Sequence, residues 1–166
     1  MTSRRLFLLS GTAVLAAAAF RGLMPPSIAA ETAETFEVMK TDAEWKAMLT
    51  DEQYRILRHE DTERPFTSAL NTEKRKGTFA CAGCDLPVYS SEAKYDSGTG
   101  WPSFWEALPN AIATREDTSL LMTRTECHCR RCGGHMGHIF NDGPQPTGMR
   151  HCINGLSMTF KPATAT

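Results

Sequence analysis

The sequence predicts a mainly β fold in which antiparallel strands follow two short helices. From Thr78 onward the chain consists of short apolar segments separated by Gly, Pro, Asn and Asp, a pattern typical of antiparallel strands joined by turns. Before that point, two capping signals mark helix starts. The 166-residue chain has 41% hydrophobic and 22% charged residues, which is ordinary for one globular domain.

Each predicted helix begins at a capping box. Thr41 and Thr50 are each followed three residues later by Glu or Gln, so each pair can bond the other's backbone N–H. These signals predict helices at about 42–48 and 51–58. The side chains expected to reach the core are Trp45, Met48, Leu49, Tyr54, Ile56 and Leu57.

The segment between Arg64 and Lys76 contains a proline and many polar residues, and it is predicted to be a loop. Short strands are expected after it, because apolar residues alternate with turn formers. The predicted strands lie near 78–80, 87–89, 111–116, 120–128, 138–140, 149–153 and 156–160.

The N-terminal segment has the features of an export signal. Arg4 and Arg5 precede an apolar run that ends at Phe20, the order of charge and hydrophobicity in a signal peptide. The string SRRLFL resembles the twin-arginine signal, which implies export of the folded protein to the periplasm. Small residues predict cleavage near Ala29 or Ala30. A permanent membrane anchor is the alternative, although the apolar run is short for a membrane span.

The sequence therefore divides into four parts: a signal peptide at 1–30, a polar leader at 31–40, the folded domain at 41–162 and a tail at 163–166. After cleavage of the signal we expect no stable membrane insertion, and we expect a monomer. The net charge of −1 and the pI near 6.5 provide no basic surface for nucleic acid, so no nucleic-acid partner is expected.

Four of the six cysteines form two CxxC pairs, Cys81 with Cys84 and Cys129 with Cys132. Each pair presents two thiolates from one tight turn, and two such turns complete the tetrahedron that Zn²⁺ prefers, with no open coordination position. The spacing predicts a structural zinc site that joins distant parts of the chain. The alternatives are iron at the same sulfurs, a redox-active CxxC, or disulfides.

Cys152 lies in the string RHCIN within a predicted strand. Residues two apart on a strand share a face, so Arg150, Cys152 and Asn154 are predicted to point together. An arginine beside a thiol favours the reactive thiolate, and an asparagine can orient a reacting group. The string fits an activated nucleophile and, equally, a buried structural cysteine.

A glycine-rich segment after the second CxxC pair contributes His135, His138 and Asp142, which are candidate acid and base groups. The histidines could instead bind a second metal ion or donate to backbone carbonyls. Trp101 follows a Gly-Thr-Gly turn and is predicted either to line a pocket or to pack in the core.

Taken together, these segments resemble the methionine sulfoxide reductase B family. The resemblance runs from about Thr41 to Pro162 and rests on the strings GTFACAGC, YDSGTGWPSF, RTECHCRRCGGHMGHIFNDGP and RHCINGLSM in this order. It implies a peptide-methionine (R)-S-oxide reductase that acts on oxidised methionine in proteins or peptides. The implied fold consists of two antiparallel sheets in a barrel-like arrangement with a few flanking helices.

The resemblance also implies roles for individual residues. It implies zinc on Cys81, Cys84, Cys129 and Cys132. It implies a nucleophile at Cys152 in a pocket of Trp101, His135, His138, Asp142, Arg150 and Asn154. We interpret one of the two histidines, held by Asp142, as the group that polarises the sulfoxide oxygen, with Arg150 stabilising the thiolate and Trp101 contacting the S-methyl group.

One position departs from the family's pattern. Many members carry a resolving cysteine between the two glycines before the tryptophan, and here that residue is Thr99. The only other spare thiol is Cys127, which strand alternation directs toward the side of the zinc ligand Cys129. We therefore expect a thioredoxin-like or other external thiol to reduce the Cys152 sulfenic acid, with Cys127 as the alternative resolver.

Two other functions fit parts of the sequence. A zinc-ribbon interaction module would present a basic or aromatic face, which the balanced charge does not favour. A general exported thiol oxidoreductase that uses a CxxC pair would stay active after metal removal. The reductase hypothesis predicts loss of the fold in that case.

Overall fold

The computed structural model describes residues 35–119 and 122–164. The predicted signal peptide at 1–30 lies outside these ranges. Within them, no helix has the length and apolar character needed to cross a membrane.

Both predicted helices are present, α1 at Asp42–Met48 and α2 at Asp51–His59. Each begins with the expected capping box, in which the side chain of Thr41 or Thr50 accepts a hydrogen bond from a backbone N–H three residues later. The prediction that Met48 is buried is wrong, since it is 49% exposed. α1 ends at Met48, and the Leu49 side chain, which follows in an extended conformation, is buried as predicted.

Nine strands lie within the described residues, and all their pairings are antiparallel. They are β1 Gly77–Cys81, β2 Pro87–Ser90, β3 Lys94–Tyr95, β4 Ser103–Phe104, β5 Ile112–Asp117, β6 Arg124–Cys129, β7 His135–Phe140, β8 Arg150–Ile153 and β9 Met158–Pro162. The three-stranded sheet has the order β2-β1-β9, and the six-stranded sheet has the order β3-β4-β8-β7-β6-β5. The predicted mainly β fold with two antiparallel sheets and short helices is confirmed, although the sheets do not close into a barrel.

Aromatic contacts hold the two sheets together. Tyr89 on β2 stacks on Phe104 of β4 with ring centroids 4.3 Å apart, and Phe79 on β1 meets the same ring edge to face at 5.0 Å. All three side chains are fully buried. Such aromatic pairs contribute about 0.5–1.5 kcal/mol each beyond the burial of their surface. The six-stranded sheet therefore has one face packed on this core.

Part of the predicted polar leader packs against the domain. The Phe36 ring contacts His128 edge to face at 5.8 Å, and a Cβ added to Gly133 would lie 2.3 Å from that ring. The backbone N–H of Val38 donates to the carbonyl of Arg131 at 2.9 Å. This end of the leader therefore covers the turn of the second CxxC pair, a contact that the polar composition does not predict.

Candidate active site

The register of the six-stranded sheet brings Cys152 and His138 together. Ser103 on β4 pairs with Cys152 on β8, Cys152 pairs with His138 on β7, and His138 pairs with Glu126 on β6. Directly opposed residues of antiparallel strands point to the same face. Cys152 and His138 are therefore cross-strand neighbours, as an attacking thiol and a proton-transfer group need to be.

A cavity of about 150 Å³ lies at these two side chains. Four of its lining residues are predicted site residues, namely Trp101, His138, Cys152 and Asn154. The other four are not predicted from the sequence, and they are Thr62, Arg124, Gly137 and Phe140. Thr62 carries no local signal because it lies in an irregular segment. Arg124 on β6 pairs with Asp117 on β5, and their opposite charges, on and directly after neighbouring predicted strands, are a signal that would have marked Arg124.

The Cys152 thiol is partly buried, and its surroundings act on its ionisation in both directions. Burial raises the pKa of Cys152 above its usual value. The Thr99 hydroxyl, whose Oγ1 lies 3.9 Å from the sulfur, and the Arg150 guanidinium both lower that pKa. Arg150 thus acts in the predicted direction, but burial has the larger effect. The thiol form therefore dominates at neutral pH.

Asp142 binds Arg150. Its two carboxylate oxygens accept hydrogen bonds from Nε and Nη2 of Arg150 at 2.8 and 2.9 Å, and the guanidinium also lies 4.3 Å from the centre of the Phe140 ring. The prediction that Asp142 holds a histidine is therefore wrong. Because Phe140 at the end of β7 pairs with Arg150 on β8, the turn that follows β7 brings Asp142 beside the arginine.

Asp117 on β5 binds His138. The Nε2 atom of His138 lies 2.7 Å from Oδ2 of Asp117, and Nη2 of Arg124 donates to the same oxygen at 2.5 Å. Hydrogen bonds from Ser119 and then from His138 hold the pKa of Asp117 far below its usual value, so the carboxylate accepts and Nε2 donates. The Nδ1 atom is consequently the ring nitrogen left for a substrate.

The protonation of His138 also depends on burial. Burial lowers the pKa of His138 below its usual value, and the hydrogen bond with Asp117 opposes this effect. The positive charge of Arg124 lowers the pKa further. His138 is therefore neutral at pH 7 and able to accept a proton on Nδ1.

His135 is buried and does not line the cavity. Its Nδ1 lies 2.7 Å from one carboxylate oxygen of Glu126, and Nδ1 of His128 lies 2.9 Å from the other oxygen. Burial raises the pKa of Glu126, but the hydrogen bonds from the two histidines outweigh it and bring the pKa to about 2. The His135 ring lies 5.6 Å from the His138 ring. Of the two predicted histidines, His138 is the one that reaches the cavity.

Asn154 and Trp101 hold one wall of the cavity in place. The Asn154 side chain accepts from the backbone N–H of Glu63 at 3.0 Å and donates to the carbonyl of Met136 at 3.2 Å. The indole Nε1 of Trp101 donates to the carbonyl of Glu63 at 3.1 Å. Asn154 therefore positions the segment that carries Thr62, which explains how it can serve the site without bonding to Cys152.

Cys127 lies on the other face of the sheet. It pairs with Gly137, which pairs with Ile153, whereas Cys152 pairs with His138. The pairing with β5 is regular through Cys127 and Cys129, so these two cysteines share a face, as strand alternation predicts. Cys127 is fully buried, and burial is the main reason that its pKa lies far above the usual value.

The four cysteines of the two CxxC pairs meet at one point. Their sulfur atoms all lie within 4.8 Å of one another. The distance is 3.7 Å between the sulfurs of Cys81 and Cys132 and 3.4 Å between those of Cys84 and Cys129. Four thiolates placed about 2.3 Å from a central Zn²⁺ would be about 3.8 Å apart, so this donor set fits the ion. Neither contact is a disulfide, whose S–S bond is about 2.05 Å.

Comparison with known proteins agrees with this geometry. Residues 49–162 match the family model described as the SelR domain. A Leptospira interrogans protein named peptide methionine sulfoxide reductase MsrB is 51% identical over 127 residues, which are 76% of this chain and 97% of that protein. The protein of the same name from Thiobacillus denitrificans is 57% identical over 125 residues, which are 74% of this chain and 94% of that protein.

The protein of that name from Agrobacterium fabrum is 51% identical over 127 residues, covering 76% of this chain and 94% of its own length. The range matched by the family model spans both CxxC pairs, the residues that line the cavity and β8. The chain therefore belongs to the methionine sulfoxide reductase B family.

Proposed function

We propose that this protein reduces the R epimer of methionine sulfoxide, preferably within a polypeptide, and that Cys152 is the nucleophile. The observation that carries this proposal is the placement of Cys152, His138 and Trp101 around one cavity. Neither alternative, an interaction module or a CxxC oxidoreductase, requires a free thiol beside an imidazole outside the CxxC pairs.

The reaction balances with the groups present. The Cys152 thiolate attacks the sulfoxide sulfur and forms an S–S bond to it. The oxygen then passes from the methionine sulfur to the Cys152 sulfur as the S–S bond and the original S–O bond break, so the thiol and the sulfoxide become a sulfenic acid and a thioether. The Cys152 sulfur loses two electrons, and the methionine sulfur gains them. Nδ1 of His138 accepts the thiol proton and returns it to the oxygen, so no net proton is taken up. The Trp101 ring contacts the S-methyl group.

The size of the cavity favours a substrate residue within a chain. About 150 Å³ is well below the roughly 300–1,000 Å³ of ordinary small-molecule sites. Such a volume holds the sulfoxide end of one side chain, and the rest of the substrate lies outside it. The name of these relatives, peptide methionine sulfoxide reductase, is consistent with this assignment.

The enzyme is returned to the thiol state by an external thiol, such as that of a thioredoxin-like protein. Thr99, which contacts Cys152, carries no thiol, and Cys127 lies on the opposite face of the sheet. A disulfide requires Cα atoms within about 7 Å and side chains that point toward each other. The opposed faces do not meet the second condition.

A single turnover without reductant tests the reaction and its recycling together. With a peptide containing methionine R-sulfoxide, we expect about one methionine per protein and one added oxygen on Cys152, because a sulfenic acid remains. Mass spectrometry of the peptides measures both products. A Cys127–Cys152 disulfide would exclude direct recycling, and equal turnover of the S epimer would exclude the proposed stereochemistry.

We also propose that the four-cysteine site holds a structural Zn²⁺. The ion would bind Cys81, Cys84, Cys129 and Cys132. When bound, it supplies cross-linking and no reaction step, since four protein ligands leave no open position. It would join the end of β1 to the end of β6. The six-stranded sheet, which carries Cys152, and the three-stranded sheet would then be fixed to each other.

We further propose that the protein is exported to the periplasm by the twin-arginine route. The arginine pair and the apolar run support this proposal. Changing Arg4 and Arg5 together to lysine is expected to keep the full-length protein in the cytoplasm. Cell fractionation and N-terminal sequencing measure the result. Wild-type protein that stays uncleaved in the cytoplasm would contradict export.

A further inference from the structure

Three hydroxyl groups form a chain that ends at Cys152. The Ser103 and Ser97 hydroxyls are 2.7 Å apart, and those of Ser97 and Thr99 are 2.8 Å apart. Thr99 Oγ1 lies 3.9 Å from the Cys152 sulfur. At the far end, Ser103 Oγ lies 3.1 Å from the carbonyl oxygen of Trp101. A side-chain hydroxyl can donate one hydrogen bond and accept others, so each member can link its two neighbours.

The hydrogen bonds of this hydroxyl chain can all be donated in one direction or all in the other. When Cys152 is a thiol, it donates to Thr99 and Thr99 donates to Ser97. Ser97 then donates to Ser103, and Ser103 donates to the Trp101 carbonyl. When Cys152 is a thiolate, the three hydroxyls rotate together. Ser103 donates to Ser97, Ser97 donates to Thr99, and Thr99 donates to the sulfur.

We propose that Thr99, Ser97 and Ser103 are positioning residues that form a reversible hydroxyl chain and stabilise the Cys152 thiolate as it attacks the sulfoxide. This inference rests on the proposed role of Cys152 as the nucleophile. Donors in a chain strengthen one another, and donors already in place need little reorganisation when charge develops.

The local backbone and the sheet hold the hydroxyl chain in place. Ser103 is fully buried and pairs with Cys152 across β4 and β8. The backbone N–H of Thr99 approaches Ser97 Oγ at 3.4 Å, which closes the turn between them. The hydroxyls can therefore reverse direction by rotating their protons without moving the backbone.

The charged groups around Cys152 do not by themselves outweigh the effect of burial on its pKa, so hydrogen bonds donated by the hydroxyl chain can contribute to stabilising the thiolate. Arg150 favours the thiolate, but Asp142 pairs with Arg150 and acts in the opposite direction on Cys152. The other titratable groups around Cys152 are His138 on β7, Tyr95 on β3 and Arg124 on β6, which lines the same cavity. His138 is neutral at pH 7, and the Arg124 guanidinium is paired with Asp117. Arg150 lowers the pKa of Cys152, but burial outweighs it.

The pH dependence of Cys152 alkylation by iodoacetamide tests the proposal in the full-length protein without any substrate. Because Thr99 lowers the pKa of Cys152, Thr99→Val is expected to move the inflection to higher pH by about one unit. Below the inflection, alkylation slows about tenfold, since only the thiolate reacts. Thr99→Ser is expected to restore the wild-type profile. Peptide mass spectrometry assigns the alkylated residue.

A double variant tests whether the hydroxyls act as one chain. Ser97→Ala alone is expected to shift the inflection in the same direction by a smaller amount. In the Thr99→Val background, the same change is expected to add no shift, because the contacts of the described residues connect Ser97 to the sulfur through Thr99. The matched control is Thr159→Val on β9, an exposed threonine away from the cavity, which is expected to leave the profile unchanged.

Two outcomes would overturn the hydroxyl chain. One is an unchanged inflection in Thr99→Val whose thermal unfolding matches that of the wild type. The other is a Ser97→Ala shift that persists in the Thr99→Val background. If the wild-type protein does not reduce the sulfoxide but the alkylation shifts are present, the proposed function is rejected and the hydroxyl chain is still supported.

Discussion

Replacing Cys152 with serine is expected to abolish methionine sulfoxide reduction, with kcat/KM at least about 10⁴-fold lower. The serine hydroxyl is not ionised near neutral pH, and its oxygen cannot take up a second oxygen as sulfur does. Serine is close in size to cysteine and retains the contact with Thr99, so the fold and the cavity are expected to persist. The measurement is methionine release from a peptide containing methionine R-sulfoxide, with an external thiol in excess.

Cys127→Ala is the matched control for this substitution. It also removes one thiol from the six-stranded sheet, but from the face opposite Cys152. We expect it to retain activity of the same order as the wild type. Equal turnover by Cys152→Ser and the wild type would show that Cys152 is not the nucleophile. Loss of recycling in Cys127→Ala, with the first turnover intact, would assign the resolving role to Cys127.

The elements predicted correctly from sequence are those with local signals. The boxes at Thr41 and Thr50 define α1 and α2 because a capping box involves residues only three apart. β3 and β4 escape prediction because two residues cannot show alternation. β4 is placed by pairing with β8, which lies far along the chain, and β3 is placed by pairing with β4. The bounds of α1 are predicted correctly, but periodicity does not show which side chains of a short helix the rest of the domain covers, so Met48 is wrongly assigned to the core.

In the candidate site, too, features with a local sequence signal are predicted and contacts between distant residues are not. Four cysteines at CxxC spacing could be grouped from sequence because each turn brings two sulfurs together. The partner of His138 could not be identified, because the contact with Asp117 spans 21 residues and depends on the register of β5, β6 and β7. Asp142 is nearer in sequence, but its turn brings it to Arg150. Sequence proximity therefore favoured the wrong carboxylate.

The four-cysteine cluster joins the two sheets of the domain. Cys81 ends β1 in the three-stranded sheet, and Cys129 ends β6 in the six-stranded sheet. The hydrogen bond from Arg58 to the carbonyl of Cys132 at 3.0 Å adds α2 to this junction. Without metal, four thiols would lie close together at the junction with only weak hydrogen bonds between them.

Replacing Cys84 with serine is therefore expected to remove the bound zinc and the cooperative thermal transition. Structural zinc sites contribute roughly 10–16 kcal/mol of binding free energy, comparable to or larger than the roughly 5–15 kcal/mol net stability of a whole domain. Metal analysis and thermal unfolding followed by circular dichroism measure both effects. Cys127→Ala, two residues from a ligand on the same face of β6, is expected to keep one zinc per chain. One zinc per chain and an unchanged melting temperature in Cys84→Ser would show that the fold does not depend on the site, while iron in the wild type would reassign the metal.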